Sequence, residues 1–592
     1  MHYEKTIRFA RNYDIMKPVI YQLLVRLFGN KSNHVVKNGT RDENGCGTFV
    51  DIDSKALNSI RELGASHIWY TGVIEHAVAT DYLKYGIDND YPEIVKGRAG
   101  SPYAIKDYYD VNPDLAVDVS NRMSEFQELV DRTHAAGMKV IMDFVPNHLA
   151  RVYKSDAKPD PDIEDFGIND QKDQSFSINN DFYYIPGTEL KLPDGAREKA
   201  IAFEYRKHPL PYYESPARAT GNDCFSSMPG EGDWYETVKL NYGIDYLNNK
   251  KIDQSCIPPV WTKMKSIIHY WASKNIDGFR VDMAEMVPVE FWEWLIPAVK
   301  IKYPDLIFIA EIYQPGLYRD YIERGRFDYL YDKVDFYDTI RNIIDNKTDT
   351  RAITECWIKI GDLENRMLRF LENHDEQRIA SSFFAGDPWI GIPAMVLAAT
   401  MNRGPVMLYF GQEVGEAAVG KSGFSGDDGR TTIYDYWNVP NHQKWMSKGE
   451  FNGVLLNSEM SELRSNYAEI FRLLKEHEIF TNGSFYDLMW ANENIFNRSG
   501  GKVFAYIRND NDSIAFIIIN LSTNHLRGLN LFIPVDAFRA PQTIGDLKMD
   551  KKFVFPKGTT EFQADFIWDK DRFIIDSPPL SATIILFLHK NN

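Results

Sequence analysis

Acids, histidines and one arginine recur in four tight groups along the chain. They are Asp143, Asn147 and His148 in DFVPNH; Arg280 and Asp282 in DGFRVDMAEM; Glu311 in AEIY; and Glu372, Asn373, His374 and Asp375 in LENHDEQR. Each group follows a short apolar run of the kind that makes a strand, so each falls at a strand end. Side chains alternate faces along a strand, so Arg280 and Asp282, two positions apart, point the same way and can touch. For any one acid, a buried ion pair or a loop cap is an adequate explanation. For four acidic strand ends meeting at one place it is not, because like charges repel and each loses hydration.

Two chemistries use such a cluster. A metal-dependent hydrolase would take His148, His374 and the aspartates as ligands, but barrel enzymes of that kind open with a His-x-His pair, and the chain has none. Cleavage of an acetal needs a carboxylate that stays ionised at the oxocarbenium carbon and a carboxylic acid of raised pKa to protonate the leaving oxygen. Arg280 beside Asp282 is expected to keep that aspartate ionised. The apolar neighbours of Glu311, IFIA and IY, are expected to raise its pKa.

The elements that position these groups follow a strand-helix rhythm. VIYQLLVRLF (19–28) reads as a strand, SKALNSIRELGA (54–65) as a helix and SHIWYTGV (66–73) as a strand. A helix at 122–137, with Phe126, Leu129, Val130 and His134 on one face, precedes the strand MKVIMDFV (138–145). The stretch from 151 to 245 breaks the rhythm with Pro, Gly, Asp, Asn and Tyr, as a functional insertion does. A helix at 258–274 and strands around IDGFRVDM, DLIFIAEIY, RFDYLYDK, RMLRFLENHD and GPVMLYFGQE complete eight strands, three before the insertion and five after it. Eight such repeats predict an α/β fold, a TIM (β/α)8 barrel, whose catalytic residues lie at the C-terminal strand ends. From about 483 the helices give way to period-2 runs such as KVFAYIRND, SIAFIIINL and ATIILFLHK. The expected organisation is a barrel from 1–150 and 246–482, the insertion at 151–245, and an antiparallel β-sandwich at 483–592.

DFVPNH, GFRVDMAEM, EIY and FLENHD, in this order and each at a strand end, resemble the signature regions of the α-amylase family of glycoside hydrolases. GSPYAIKDYYDVNPDLA (100–116) resembles its tyrosine-bearing segment, GPVMLYFGQEVGE (404–416) its eighth strand, the insertion its domain B and the β tail its domain C. The resemblance implies that Asp282 is the nucleophile, Glu311 the general acid/base and Asp375 the acid that grips sugar hydroxyls and stabilises the transition state. By the same similarity Arg280 orients the nucleophile, His148 and His374 hydrogen-bond the sugar at the cleavage point, Tyr103 stacks on it, and Arg430 approaches the second sugar. It further implies a retaining reaction on starch, maltodextrins or maltooligosaccharides, chiefly at α-1,4 bonds, with carboxyl oxygens about 5 to 5.5 Å apart. A glucanotransferase or glucosyl isomerase on the same barrel is the alternative, since water or a sugar hydroxyl can resolve the intermediate.

The chain departs from the common pattern in the second signature, where Glu285 and Met286 replace Lys-His. Those positions face the leaving-group side in the family, so reducing-end binding is expected to differ. TVKLN (237–241) resembles the MPKLN of neopullulanases and cyclomaltodextrinases, and Trp234, Tyr235 and Tyr242 offer rings for sugars or for packing. No cofactor is implied for the chemistry. The resemblance leaves room for a structural calcium at Asn147, together with the backbone carbonyl at position 286.

Composition sets the outer bounds. Across 592 residues, 67 basic against 84 acidic side chains leave a charge of -17, which disfavours nucleic acid as a partner, because phosphate binding needs a basic surface. The four cysteines, Cys46, Cys224, Cys256 and Cys356, form no C-x-x-C pair and read as reduced thiols. The first thirty residues carry scattered charges and no apolar leader core, and no apolar run approaches the ~18 residues of a membrane span. A cytoplasmic protein with no membrane partner is expected, or a periplasmic or secreted one had a leader been removed. Oligomeric state is not legible.

Overall fold

Short runs that are buried on both faces make poor hairpins and good parallel strands, and eight of them form one sheet. The computed structural model describes residues 17–196, 211–253, 255–538, 547–556, 566–569 and 571–589; the start of the N-terminal stretch read above for a leader, through Met16, lies outside them. The strands are β1 (Val19–Leu24), β2 (His67–Thr71), β3 (Lys139–Phe144), β4 (Gly278–Val281), β5 (Ile307–Ala310), β6 (Tyr329–Tyr331), β7 (Met367–Leu368) and β8 (Val406–Tyr409). They pair in the order β7-β6-β5-β4-β3-β2-β1-β8, and a parallel bridge between Arg369 and Val406 joins the two edges and closes the barrel. This is the expected α/β fold, the TIM (β/α)8 barrel.

Alternation along each strand sorts the side chains. Ile20, Trp69, Ile141, Ile309, Tyr331, Leu368 and Met407 point inward and pack as one cluster in the barrel. Their neighbours point outward against the helices. Ser54–Leu63 begins at Asp53, whose carboxylate accepts from the N–H groups of Lys55 and Ala56, and buries Ala56, Leu57, Ile60 and Leu63. It ends at Gly64, where φ is 116° and a Cβ would lie 2.5 Å from that of Phe471, so no other residue fits. Arg122–Ala135 buries Phe126, Leu129, Val130 and Thr133. Its His134, expected on the same face, is half-buried and reaches Asp277 at 2.7 Å. Fully burying a large aliphatic or aromatic side chain contributes about 1.5–3 kcal/mol, so these faces hold the helices to the wall.

Two expectations are corrected. The first strand ends at Leu24, and Val25–Phe28 turns into a helical segment, whose Arg26 is buried against the carbonyl of Ala99 at 2.7 Å. The region after 483 retains a helix, Glu493–Ser499. Otherwise it is antiparallel, with one five-stranded sheet containing Val503–Asn509, Ser513–Asn520 and Ser581–His589, and a three-stranded sheet containing Leu526–Phe532 and Arg572–Ser577. The helix Gly391–Thr400 is buried at all ten positions because it packs against the five-stranded sheet as well as belonging to the barrel.

The irregular insertion lies between β3 and the helix Pro259–Ala272. Its return arm, Thr237–Lys239, pairs antiparallel with His148–Ala150, in a register that sets Lys239 opposite His148. That pairing brings the insertion over the strand ends. Among the described residues no helix is long and apolar enough to cross a membrane.

Candidate active site

Parallel pairing delivers the charged groups side by side. Arg280 on β4 is in register with Asp143 on β3 and Ile309 on β5, and Asp282 and Glu311 follow at the ends of their strands. The Arg280 guanidinium is the hub. Its Nη1 donates to Asp282 Oδ1 at 2.9 Å and to Asp143 Oδ1 at 3.4 Å, its Nη2 lies 2.6 Å from Glu311 Oε1, and its Nε donates to the Tyr331 hydroxyl at 3.1 Å. The rings of Trp69, Tyr331 and Tyr103 surround it at 5.3 to 5.5 Å. A planar cation among rings, with several donors in fixed directions, is a task for arginine rather than lysine.

One electrostatic expectation is overturned, and one description of surroundings is corrected. Arg280 does not depress Asp282 below the carboxylate range: burial, and then the charge of Glu311, push the Asp282 carboxyl well up, and Arg280 only opposes them. The setting of Glu311 is polar rather than apolar. Its Oε1 accepts from the Tyr313 hydroxyl at 2.6 Å, and its Oε2 accepts from the backbone N–H of Met283 at 2.8 Å. Met283, next to Asp282, sits in the left-handed region at φ 42°. A non-glycine residue there carries strain of roughly 1–2 kcal/mol, and here the strained turn is what aims its N–H at Glu311. Burial also raises Asp143 to about 7.

Asp282, Glu311, Asp375, Tyr103 and His148 line one cavity of about 270 Å3, together with Trp234, Tyr313, Lys96 and Tyr434. The Asp375 side chain is 40% exposed to that cavity, and its Oδ2 is 3.1 Å from His374 Nε2. Deep placement raises the Asp375 carboxyl, with Arg280 pulling the other way. His374 lies just behind the wall, between Gln22 Nε2, 2.7 Å from its Nδ1, and the Tyr103 hydroxyl, which meets its Nε2. Burial drives His374 and His148 down to about 3, helped by Arg280 for the first and Lys239 for the second, so both are neutral hydrogen-bonding groups at ordinary pH.

Arg430 is not brought into this cavity. It stands exposed at the rim, donating to the Asp375 carbonyl at 2.7 Å and to Asp428 at 2.6 Å. Of the three aromatic candidates in the insertion only Trp234 lines the cavity, its ring 5.1 Å from that of His148. Tyr235 and Tyr242 are 3% exposed, and the Tyr242 hydroxyl is held by the Pro146 carbonyl at 2.7 Å. Glu285 and Met286 also stay off the cavity wall. Glu285 Oε2 accepts from the N–H groups of Tyr313 and Gln314, both at 3.0 Å, and so fastens the loop that carries Tyr313.

The residues around Asn147 do not fit calcium. Lys239 Nζ lies 2.6 Å from Asn147 Oδ1, 2.6 Å from Asp223 Oδ1 and 3.5 Å from the Met286 carbonyl. Burial works against that charge, yet Tyr246 and Asp223 hold the Lys239 pKa above its ordinary value. The oxygens expected to face a divalent ion therefore face an ammonium, and a second cation among them would be repelled. The lysine stood in the KLN motif, but its reach across the insertion to Asn147 left no mark in local sequence.

Sequence reasoning missed Tyr313 as the partner of Glu311, although the residue stood inside the quoted EIY. It also missed Lys96, whose ammonium is 2.9 Å from Glu236 beside the cavity. Nothing in its neighbourhood, EIVKGRAG, marks it out.

The chain matches the family described as "Alpha amylase, catalytic domain" over residues 35–452, well over half its length. It is 23% identical over 394 residues to alpha-amylase 3 of Dictyoglomus thermophilum, covering 63% of this chain and 66% of that one. To the cyclomaltodextrin glucanotransferase of Bacillus licheniformis it is 22% identical over 417 residues, 67% of this chain and 48% of the other. The chain thus spans less than two thirds of the length of these relatives, or close to it. Its structure superposes on a noncanonic maltogenic alpha-amylase from Thermotoga neapolitana with a TM-score of 0.58 at 18% identity, over 97% of this chain and 100% of that one, a likeness of fold.

Proposed function

The chain belongs to the α-amylase family, and from that premise we propose that it cleaves α-glucosidic bonds, chiefly α-1,4, in starch-like glucans or maltooligosaccharides with retention of configuration. Asp282 attacks the anomeric carbon while Glu311 protonates the bridging oxygen. The resulting glucosyl-Asp282 ester is then opened by water that Glu311 deprotonates. The observation that carries this reading is the bridging by Arg280, whose two terminal nitrogens contact Asp282 at 2.9 Å and Glu311 at 2.6 Å. One guanidinium touching both acids is suited to the short separation, about 5 to 5.5 Å, that double displacement requires.

The raised Asp282 and the well-bonded Glu311 describe the free site, where the two acids share one cation. A glucan oxygen entering between them excludes water and gives Glu311 an acceptor for its proton, while Arg280 remains to stabilise Asp282 as an anion. Asp375, open to the cavity, takes sugar hydroxyls. The neutral imidazole of His148 hydrogen-bonds the sugar without adding charge, His374 braces the Tyr103 hydroxyl from behind the wall, and the rings of Tyr103 and Trp234 offer apolar faces to the sugar. Arg430 orders the rim through the Asp375 carbonyl.

Transfer to a sugar acceptor uses the same first half-reaction, and a glucanotransferase is among the relatives. Maltotetraose separates the outcomes. The proposed hydrolase yields shorter sugars only, the newly formed reducing ends being α by NMR before mutarotation. Oligomers longer than the substrate would establish transfer instead, and initial β product would refute the retaining assignment.

A further inference from the structure

A second group of acids lies on the outer side of the same strand ends. Glu75, on the short strand Ile74–His76, is paired in register with Asp107 on Ile105–Val111, and Asp156 comes in from the start of the insertion. One carboxyl oxygen from each lies within 4.8 Å of the others. Two like charges directly opposite each other on paired strands destabilise a ladder, and here Glu75 is 2% exposed and Asp107 fully buried.

The charge of Lys106 partly offsets the cluster at Glu75, but no side chain donates a hydrogen bond to the buried Glu75 Oε2. Asp107 Oδ1 accepts from the N–H of Tyr109 at 2.8 Å, and its Oδ2 from those of Asp156 at 2.9 Å and Ala157 at 3.2 Å. Those bonds bind the insertion to the strand. Glu75 Oε2 is buried with no hydrogen-bond partner. The Lys106 ammonium bonds to the Asp88 carbonyl and to Asp90 at 3.3 Å, and Asp110 is taken by Arg122. Glu75 and Asp156 both open on a cavity of about 420 Å3, which gives access from solvent.

We propose that Glu75, Asp107 and Asp156 form a binding site for a hard divalent cation, which clips the strands after β2 to the first segment of the insertion. Three carboxylate oxygens are the donor set that calcium, magnesium or manganese takes, and water from the cavity completes the coordination. Tyr103 and Asp107 are only four positions apart, so the ion would stiffen the segment carrying the ring that lines the catalytic cavity.

The test uses the full chain, freed of metal by chelation, with thermal unfolding and terbium luminescence as readouts. Calcium should raise Tm saturably by a few degrees. Terbium should bind with emission sensitised by the nearby tyrosines and be displaced by calcium. Glu75→Gln removes the repulsion that the ion relieves, so it should raise the calcium-free Tm while abolishing the calcium response and the terbium signal. Asp156→Asn, at an exposed position where folding is not at stake, should weaken both by at least tenfold in the concentration required. A parent protein indifferent to calcium and magnesium would overturn the proposal. A response that survives both substitutions would overturn it too, by placing the ion elsewhere.

Discussion

Replacing Glu311 by glutamine keeps the shape of the side chain and an acceptor for the Tyr313 hydroxyl, but removes the transferable proton and the negative charge 2.6 Å from Arg280. General acid–base assistance is worth about 10²–10⁴-fold, roughly 3–5 kcal/mol of barrier, so kcat/KM on maltotetraose should fall by that factor. An aryl α-maltoside whose phenolate leaves unaided needs no proton, and its first half-reaction should be nearly spared. Release from the Asp282 ester then becomes slow, and azide, which needs no base, should restore turnover and yield an α-glycosyl azide. The pH profile carries the second half of the test. By the proposed mechanism activity should fall on the acid side as Asp282 takes up a proton, and after burial the charge of Glu311 is the largest influence holding that carboxyl high. With the charge gone, the acid limb on the aryl substrate should move to lower pH. Parent-level activity on maltotetraose would remove Glu311 from its role, and an unmoved acid limb would refute the coupling of the two acids.

Arg280→Lys keeps a positive charge but cannot span Asp282, Glu311 and Tyr331. Losing one or two charge-assisted contacts of about 1.5–3 kcal/mol each should lower kcat by roughly 10- to 10⁴-fold, read in steady-state kinetics, and shift the acid limb upward as less opposes the burial of Asp282. Lys239→Ala, made in a Glu75→Gln background to silence the outer cluster, should lose about 3–5 kcal/mol of stability and gain a calcium-dependent Tm, because Asn147 Oδ1, Asp223 and the Met286 carbonyl are then free for a metal. Folding also depends on pH in a defined direction. Glu372 and Asp143 are raised to about 7 by burial, so between about pH 4 and 7 the folded chain binds protons that the unfolded chain has released, and stability falls as pH rises through that window. Unfolding curves across it should flatten in Glu372→Gln.

The elements and the residues of the site were legible because the pattern that makes a barrel strand also says where it ends. Arg280 and Asp282 share a face by the two-residue period, and β4 then sets Arg280 beside Asp143 through the parallel register. Environments were legible only where they are local. IFIA and IY around Glu311 describe strand neighbours that face the wall, whereas its oxygens meet Tyr313, Met283 and Arg280 in the mouth. The same limit explains Arg430, which follows the right strand yet turns to Asp428, two residues away. It explains the calcium expectation as well: Asn147 is in place, but the group that reaches it comes from the far end of an insertion with no regular period.

That last case shows why a motif residue and its usual ligand separate. Asn147 donates its amide to the Gly221 carbonyl at 2.7 Å and accepts from Lys239, so it ties β3 to both arms of the insertion whichever cation lies beside it. What the position requires is a positive charge shared with Asp223 and a carbonyl, and an ammonium on a flexible stem provides one without depending on metal supply. Lys239 also sits opposite His148 in the strand pair, and its charge is the first influence after burial that keeps His148 neutral. The cation that holds the insertion therefore also sets the protonation of an imidazole in the cavity wall. Lys239→Met should accordingly let His148 titrate nearer its ordinary range, and a histidine resonance that does not move in that variant would separate the two roles.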